Sequence, residues 1–467
     1  MSTPYRILLV KPRQNIVPYA IEPPLGVMYL ASYLRQQQGD IELGIIDMTP
    51  ENMNYAQLAD RMRSFNPDLV GITALTVESR GLHRTAALAK QLRSDTIVVA
   101  GGPHASAYPQ KVMMDPHFDY VVVGEGELTF NDFVTAIREG GSVREIDGLV
   151  YRDNGQTKTN PRQRFVEDLD SLPFPAWDLI PIRKYKNFVR MSNTGRGDFM
   201  ALFTSRACPF KCIYCHSLFG KKFRKRSPEN VLEEIRQLYH EYGIREFEVI
   251  DDIFNCDLKR AKRICDLIIA SGMRIRLTFP NGIRGDHMDE EFILKLRRAG
   301  TIFMAFAVET ATPRLQKMLK KNVRLDKIKR NITLARRAGI LCQGFFMLGF
   351  PTETREELQA TVDFAVDSDL HAAHLFVVNA YEGTKLAEIA RDLGKRVHSD
   401  FEDTYMSSGF NNLTDLSDKD LDAIRRRGIR RFWLKPSRVW AILRDYPDKD
   451  RFPILLAVLT KRLLLRG

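Results

Sequence analysis

The chain has 467 residues, 44% of them hydrophobic, a globular composition too long for one core, since single cores stop growing at about 250–300 residues. Lys and Arg number 70 against 58 Asp and Glu, and the +12 is uneven: residues 418–467 hold 14 basic and 6 acidic side chains, a net +8. Six cysteines are too few for a disulfide scaffold, and Met1–Tyr5 brings no apolar targeting segment before the first strand, so an intracellular, cytoplasmic protein with reduced thiols is expected.

Residues 1–150 alternate apolar runs with helix-period segments. Arg6–Val10, Leu43–Ile46, Leu69–Thr73, Ile97–Ala100 and Tyr120–Val123 read as buried parallel strands, and Leu25–Leu34, Tyr55–Phe65 and Gly81–Leu92 as helices. The alternation predicts a doubly wound α/β sheet, flavodoxin- or Rossmann-like, whose ligands bind beyond the carboxyl ends of the strands. Gly101-Gly102-Pro103-His104 and Gly124-Glu125-Gly126 fall there, where glycine lets backbone approach a ligand. The plainer reading is a bare flavodoxin-like domain with tight turns. Over 151–195, Pro161, Pro173, Pro175 and Pro181 interrupt a polar stretch and predict an ordered connector.

Six more strand-helix units can be counted over 196–395, with strands at Met200–Thr204, Glu246–Ile250, Ile275–Phe279, Thr301–Val308, Leu341–Met347 and Leu375–Asn379. Barrels of such units carry their working residues at the carboxyl ends of the strands. Ser227, Pro228 and Glu229 supply a cap, a first-turn proline and a dipole-favoured carboxylate for the helix that follows. Just after the first strand stand Cys208, Cys212 and Cys215, three thiols in eight residues at Cys-x3-Cys-x2-Cys spacing. Thiolates favour iron-sulfur clusters and zinc. A structural zinc site closes with four ligands, here with His216 or a remote residue, whereas a four-iron cluster on three cysteines keeps one iron open. Cys256, Cys265 and Cys342 are scattered.

The cysteine loop, with Tyr214 before its third cysteine, resembles that of the radical S-adenosylmethionine (SAM) superfamily, whose core is a partial barrel of six units. The resemblance implies a 4Fe-4S cluster on Cys208, Cys212 and Cys215, with the amino and carboxylate groups of SAM on the open iron. Gly344-Phe345-Phe346-Met347-Leu348-Gly349-Phe350-Pro351-Thr352-Glu353-Thr354 resembles the family's Gly-x-Ile-x-Gly-x-Pro-x-Glu-Thr strand along the SAM adenine, which implies cofactor contacts at Gly344, Gly349 and Pro351 and puts Phe346 in place of the isoleucine. Ala307–Thr310 resembles the fourth-strand segment whose carboxylate, here Glu309, meets the SAM ribose or amino group; the alternative is a surface ion pair. Glu248, Asp251 and Asp252 end the second strand and Asn281 and Arg284 the third, with the pocket-facing carboxylate undecided. Asn379–Thr384 resembles the family's Pro-Gly-Thr turn, with Glu382 for the proline, and Tyr381 is a candidate hydrogen donor or a packed aromatic.

Residues 1–150, with Pro23-Pro24-Leu25-Gly26 and Tyr29-Leu30-Ala31, resemble the cobalamin-binding domain found before many such cores. No Asp-x-His-x-x-Gly occurs, so the resemblance implies cobalamin without a protein histidine on cobalt; His83 and His104 have the wrong neighbours. The lack of a cysteine before Cys208 argues against methylthiotransferases, whose front domain brings three. The expected chemistry is reductive cleavage of SAM and, with cobalamin, methylation of an unactivated carbon. A cyclase of the anaerobic magnesium-protoporphyrin monomethyl ester type is the enzymatic alternative, and a metal-cluster regulator bound to nucleic acid a different class. A small-molecule or lipid-like substrate and a reductant such as flavodoxin or ferredoxin are implied.

Residues 396–467 read as a helical basic segment in which Arg425–Arg427, Arg430, Arg431 and Lys435 surround Phe432 and Trp433. Its apolar run Ile454–Leu459 is far short of the roughly 20 residues a bilayer needs. A helix covering the barrel opening, peripheral membrane contact and nucleic-acid contact are weighed in that order.

Overall fold

The computed structural model describes residues 4–13, 21–162, 164–188, 190–192, 194, 197–397 and 412–449, so the expected apolar run at 454–459 lies outside the described residues. Two compact units form: one runs to Arg190 and takes in Leu218–Gly220, the other holds Met191–Ser217 and the chain from Lys221.

In the first unit β1 (Tyr5–Lys11), α1 (Leu25–Gln37), β2 (Ile41–Asp47), α2 (Tyr55–Phe65), β3 (Leu69–Thr73), α3 (Ser79–Leu92), β4 (Ile97–Gly101), α4 (Gly102–Ala107), α5 (Pro109–Met113), β5 (Tyr120–Val122) and α6 (Glu127–Glu139) alternate as expected. The hairpin β6 (Leu149–Asp153) and β7 (Gln156–Thr159) follows, and the sheet order is β2-β1-β3-β4-β5-β6-β7. Pairings from β2 to β5 are parallel, so this is the flavodoxin-like winding, with its crossover reversal between β1 and β3. Leu8, Val10, Val70, Ile72, Val98 and Ala100 pack one face against Met62, Leu82 and Phe118. The expected boundary at 150 falls inside β6, which pairs antiparallel with β5. Asn154 and Gly155 both have positive φ (49° and 77°), the left-handed pair that a two-residue hairpin requires. That Asn-Gly dipeptide was the available signal for the missed hairpin.

The second unit holds β8 (Phe199–Leu202), the short pair β9 (Ser205–Arg206) and β10 (Arg224–Lys225), then α7 (Pro228–His240), β11 (Glu246–Val249), α8 (Leu258–Ala270), β12 (Arg276–Ile283), α9 (Glu290–Arg298), β13 (Thr301–Glu309), α10 (Pro313–Met318), α11 (Leu325–Arg337), β14 (Leu341–Leu348), α12 (Arg355–Asp367), β15 (Ala372–Val377) and α13 (Lys385–Asp392). Its strand order β15-β14-β13-β12-β11-β8 is sequential and every pairing is parallel, the pattern of an open barrel of six units. Ser227 caps α7 by accepting the Asn230 N–H at 3.1 Å, and Thr354 with Glu357 forms a capping box on α12.

The tail forms α14 (Asp418–Trp433) and α15 (Pro436–Asp445). At Gly428 a Cβ would stand 2.7 Å from Val362 of α12 and 3.1 Å from Leu375 of the edge strand β15, so only glycine permits this approach. Beyond α15, Tyr446 joins Phe303, Ala305 and Leu341 in one apolar cluster, and the fully buried Asp448 meets Arg276 at 2.8 Å. Arg276, Thr301 and Leu341 begin their strands, so the described end of the tail, at Tyr446 and Asp448, packs on the amino end of the barrel. Among its described cations, Arg431 is committed to Asp363, Lys435 to Val366 O, Arg438 to Val366 O and Ser368 O, and Arg425 to Leu375 O. No described helix is long and apolar enough to cross a membrane.

Candidate active site

The cysteine loop leaves β9 at the carboxyl mouth of the second unit, through Ala207 at φ 69°. Between the second and third cysteines Ile213 is buried among Leu319, Phe350, Val378 and Leu386. Its N–H donates to Leu319 O at 3.1 Å and its carbonyl accepts from Leu386 N at 2.9 Å, which pins the loop to two barrel units at once. Cys212 Sγ donates to Lys320 O at 3.9 Å, and the Arg284 guanidinium lies 3.8 Å over the Phe210 ring. Arg284 is itself held by Asp286 at 3.1 Å.

Burial pushes the Cys215 thiol up to about 11, with Lys221 opposing and the Cys212 and Cys208 thiols in its field; burial raises Cys208 too. Cys208 and Cys212 thus stand within electrostatic reach of Cys215. Among the described residues no group of three or more His, Cys, Asp or Glu is placed to hold a metal ion as it stands. As a donor set the loop fits a soft centre: three thiols, one rigid anchor and a cation nearby to favour thiolates.

Glu309 ends β13 at φ 67°, where a non-glycine residue is strained, beside a register shift between Ala307 and Glu309. Its side chain is nearly buried and its Oε1 meets Lys321 Nζ at 3.2 Å. The expected alternative, an ion pair, is therefore present, but it is a buried pair. Burial raises the Tyr214 hydroxyl, and Glu309, Cys212 and Cys215 add to the shift, which places Glu309 within electrostatic reach of the cysteine loop. The segment 319–321 ties both: Leu319 and Lys320 carbonyls hold the loop, and the Lys321 ammonium holds the carboxylate. Lys321 carries no motif, and nothing local in the sequence pointed to it.

The carboxylates after β11 divide. Asp251 is buried and accepts from Thr204 N at 2.6 Å, Thr204 Oγ1 at 2.5 Å and Ser205 Oγ at 2.6 Å, so both of its oxygens fasten the start of the cysteine loop. Glu248, on the inner face, accepts from Thr278 Oγ1 at 3.1 Å and Ser192 N at 3.2 Å. Burial raises Asp252, with His216 and Lys221 opposing, so this is the carboxylate facing the loop. Asn281 donates to Asp251 O at 2.9 Å.

On the glycine-rich strand β14 two positions pack toward the helices. Phe346 is fully buried against Phe364 of α12, so it faces the helices and not the lumen. A Cβ on Gly344 would come 2.6 Å from Leu370, which makes this glycine a packing requirement of the same outer face. Gly349 does turn the chain, at φ 97°, and its N–H and that of Phe350 donate to Glu353 Oε2 at 2.7 and 3.0 Å; Pro351 is buried beside them. Tyr381 is half-buried, its hydroxyl raised by burial with Asn379 as hydrogen-bond partner, and its carbonyl accepts from Thr384 Oγ1 at 2.6 Å. Glu382 pairs with Arg391.

In the first unit Gly102 takes φ 82° where a Cβ would meet Thr73 Oγ1 at 2.4 Å, while Gly101 is extended and roomy. Pro103 opens α4, and His104 is buried, its N–H on Ala74 O at 3.1 Å and its ring 5.3 Å from Tyr108. His83 Nδ1 lies 2.6 Å from Asp115. Gly124 has φ 79° and receives the Arg162 guanidinium directly against its backbone; Arg162 also stands 3.6 Å from Glu125 and over Phe165. Arg162, in the proline-rich connector, went unnoticed in the sequence. At Gly126 a Cβ would touch Leu30 at 3.1 Å. At Gly102 and Gly124 the missing Cβ makes room for Thr73 and Arg162 of the same unit, while Gly101 stays open at the carboxyl ends of the strands, where folds of this winding bind ligands.

An open parallel barrel with three soft ligands at its mouth, joined in one chain to a flavodoxin-like domain, is the architecture of a cluster-bearing enzyme with a second cofactor domain. The family model for the B12 binding domain matches residues 15–134, and that for the radical SAM superfamily residues 202–365. An uncharacterised methyltransferase of Pyrococcus horikoshii is 32% identical over 97% of this chain and 96% of its own length. The anaerobic magnesium-protoporphyrin IX monomethyl ester cyclase of Rubrivivax gelatinosus is 27% identical over 81% of this chain and 68% of its own. Among solved structures the radical SAM methyltransferase TsrM of Kitasatospora setae, with cobalamin and a [4Fe-4S] cluster bound, superposes with a TM-score of 0.71 over 85% of this chain and 80% of its own, at 21% identity. The chain belongs to the cobalamin-dependent radical SAM methyltransferase family, whose cofactors are a 4Fe-4S cluster, SAM and cobalamin.

Proposed function

We propose that this enzyme methylates an unactivated carbon of a small molecule. The observation that carries the reading is the full-length likeness to a methyltransferase that spans both domains, together with the three-thiol loop at the barrel mouth. When bound, the cluster supplies the electron that cleaves SAM, and cobalamin supplies a transferable methyl group. The chain's own residues do the rest. Cys208, Cys212 and Cys215 hold the cluster, while Ile213 and the Leu319–Lys321 segment keep their loop in register with Glu309. Glu309, its charge balanced by Lys321, accepts hydrogen bonds from the SAM ribose or amino group, and its strained backbone aims the carboxylate before the ligand arrives. Asp252 is the second acceptor near the loop. Gly101, Gly102, Pro103, His104, Gly124, Glu125 and Gly126 form the cobalamin turn set, and Tyr381 stands as a proton or hydrogen donor at the sixth strand.

The likeness to the cyclase supports a second reading, ring formation by hydrogen removal. A cytoplasmic setting, with flavodoxin or ferredoxin as reductant, suits a cluster that must be kept reduced. The deciding measurement is product mass after anaerobic turnover with methyl-labelled SAM. A labelled CH2 gained by the product supports methyl transfer, and net loss of hydrogen without label refutes it.

A further inference from the structure

The segment 311–330, between β13 and β14, holds eight basic residues and one acidic residue. Arg314 is committed to Glu357, Lys321 to Glu309, and Arg324 to Asp326, the one acid of the segment. Lys317, Lys320 and Lys327 are exposed and, like the exposed Lys211 of the cysteine loop, have no ion-pair partner among the described residues.

These cations gather on one flank of the loop. Lys211 is bonded to Cys212, whose Sγ stands 3.9 Å from Lys320 O, and the Lys320 N–H donates to Lys317 O at 3.1 Å. Arg284 ties in the start of α11: its guanidinium lies over the ring of Phe210, the neighbour of Lys211, and donates to Asn322 O at 3.2 Å, while its partner Asp286 accepts from Arg324 N at 3.2 Å. Lys327 stands in the first turn of that helix. The turn that displays the lysines is fixed from within. Gln316, 4% exposed, donates from its side chain to Val308 O at 2.9 Å and Thr310 O at 2.6 Å, and its carbonyl accepts from Lys321 N and Asn322 N at 3.1 and 3.2 Å. On the other flank, where Leu386 holds the loop, charges cancel: Lys385 pairs with Glu388 and Arg391 with Glu382. The positive field is therefore one-sided. Cys215 is exposed, so the loop is reachable from solvent.

We propose that Lys211, Lys317, Lys320 and Lys327 form the docking face for an acidic electron-carrier protein that delivers single electrons to the cluster. This rests on the reading of the chain as a radical SAM enzyme, and it adds the surface that receives the reductant. The step moves one electron from the carrier's reduced centre, which is oxidised, to the cluster, which is reduced; no bond forms or breaks and no proton moves. Charge complementarity selects this occupant, because a positive rim raises the encounter rate of an acidic partner, and a carrier seated on Lys211 is one residue from Cys212.

The test uses anaerobically reconstituted holoenzyme and, as probe, a flavodoxin of negative net charge in its hydroquinone form, with bleaching of the cluster followed by stopped flow at low and high salt. Wild type should be reduced faster at low salt. Lys211→Glu and Lys317→Glu should each slow reduction about tenfold there and converge on wild type at high salt. Arg274→Glu, the same charge change on an exposed side chain just before β12 at the barrel's amino end, should keep the wild-type rate. Reduced methyl viologen, a small cation that needs no docking face, should be slowed by neither lysine change. Lysine variants with the wild-type flavodoxin rate, or a rate indifferent to salt, overturn the inference. Equal slowing with methyl viologen also overturns it and assigns the lysines to the loop's own integrity, and Arg274→Glu slowing as much leaves only net charge. Salt-sensitive binding of an RNA oligonucleotide that both lysine variants lose, with flavodoxin rates unchanged, overturns it in favour of nucleic acid. All of these leave the enzyme class standing. Wild type that holds no iron, or fails to cleave SAM with methyl viologen, brings down the class reading and this one with it.

Discussion

Glu353 offers a quantitative check on how the β14 turn is held. Its carboxyl is 3% exposed; Oε2 accepts two backbone N–H groups, and Oε1 has no hydrogen-bond partner among the described residues. Burial pushes it up to about 7 from the ordinary 4.5, with the two N–H bonds opposing. Because the folded value lies above the unfolded one, the folded state binds more protons between these two pH values, and stability falls as pH rises through that window. A gap of about 2.5 pH units at 1.36 kcal/mol each gives a loss of about 3 kcal/mol between pH 4.5 and 8. Glu353→Gln keeps the acceptor for both N–H groups, puts an amide where the acid carries its proton, and never ionises. The variant should match wild type near pH 5 and exceed it by about 3 kcal/mol at pH 8. Urea unfolding of the reconstituted protein, followed by circular dichroism at half-unit pH steps, reads the difference. Parallel pH profiles, or a variant less stable than wild type at pH 8, would refute the assignment of a buried, proton-holding carboxyl to this turn.

Cys208→Ala, Cys212→Ala and Cys215→Ala should each abolish oxygen-sensitive brown absorbance and SAM cleavage, while Cys265→Ala and Cys342→Ala, whose thiols are buried away from the loop, should leave absorbance intact; Cys256→Ala should also retain it, and loss in any of these three points to different ligands. Glu309→Gln should weaken SAM binding roughly tenfold, about 1.4 kcal/mol for one charge-assisted hydrogen bond, measured by equilibrium dialysis; unchanged affinity returns Glu309 to a purely structural pair with Lys321. Gly102→Ala puts a methyl group against Thr73 at positive φ and should cost about 1–3 kcal/mol, lowering cobalamin retention on gel filtration; full retention removes this turn from the cobalamin turn set. Asp448→Ala leaves Arg276 with only Glu246 at the barrel's amino end and should cost about 1–3 kcal/mol, read as a lower urea midpoint, and cosedimentation with anionic liposomes should stay negligible at low salt; strong salt-sensitive binding would restore the membrane reading of the tail.

The sequence by itself determined the two α/β units, because buried parallel strands must be apolar on both faces and so stand out as runs such as Ile7–Val10 and Phe303–Val308. It also supplied the proposed cluster ligands, since a three-thiol loop is a local feature whose spacing survives in one dimension. The hairpin β6–β7 escaped because its outer strand, Gln156–Thr159, is polar and largely exposed at the sheet edge. Tertiary structure alone decided what depends on distance through space. It assigned Asp251 to Thr204 and Ser205, and left Asp252 to the loop, a choice between adjacent residues that pattern does not make. It brought Lys321 to Glu309 and bent the strand end to φ 67°. It also turned a +8 tail into a brace: Arg438 finds the carbonyls of Val366 and Ser368 some 70 positions earlier, because the last turn of α12 leaves carbonyls unbonded and a buried guanidinium needs acceptors.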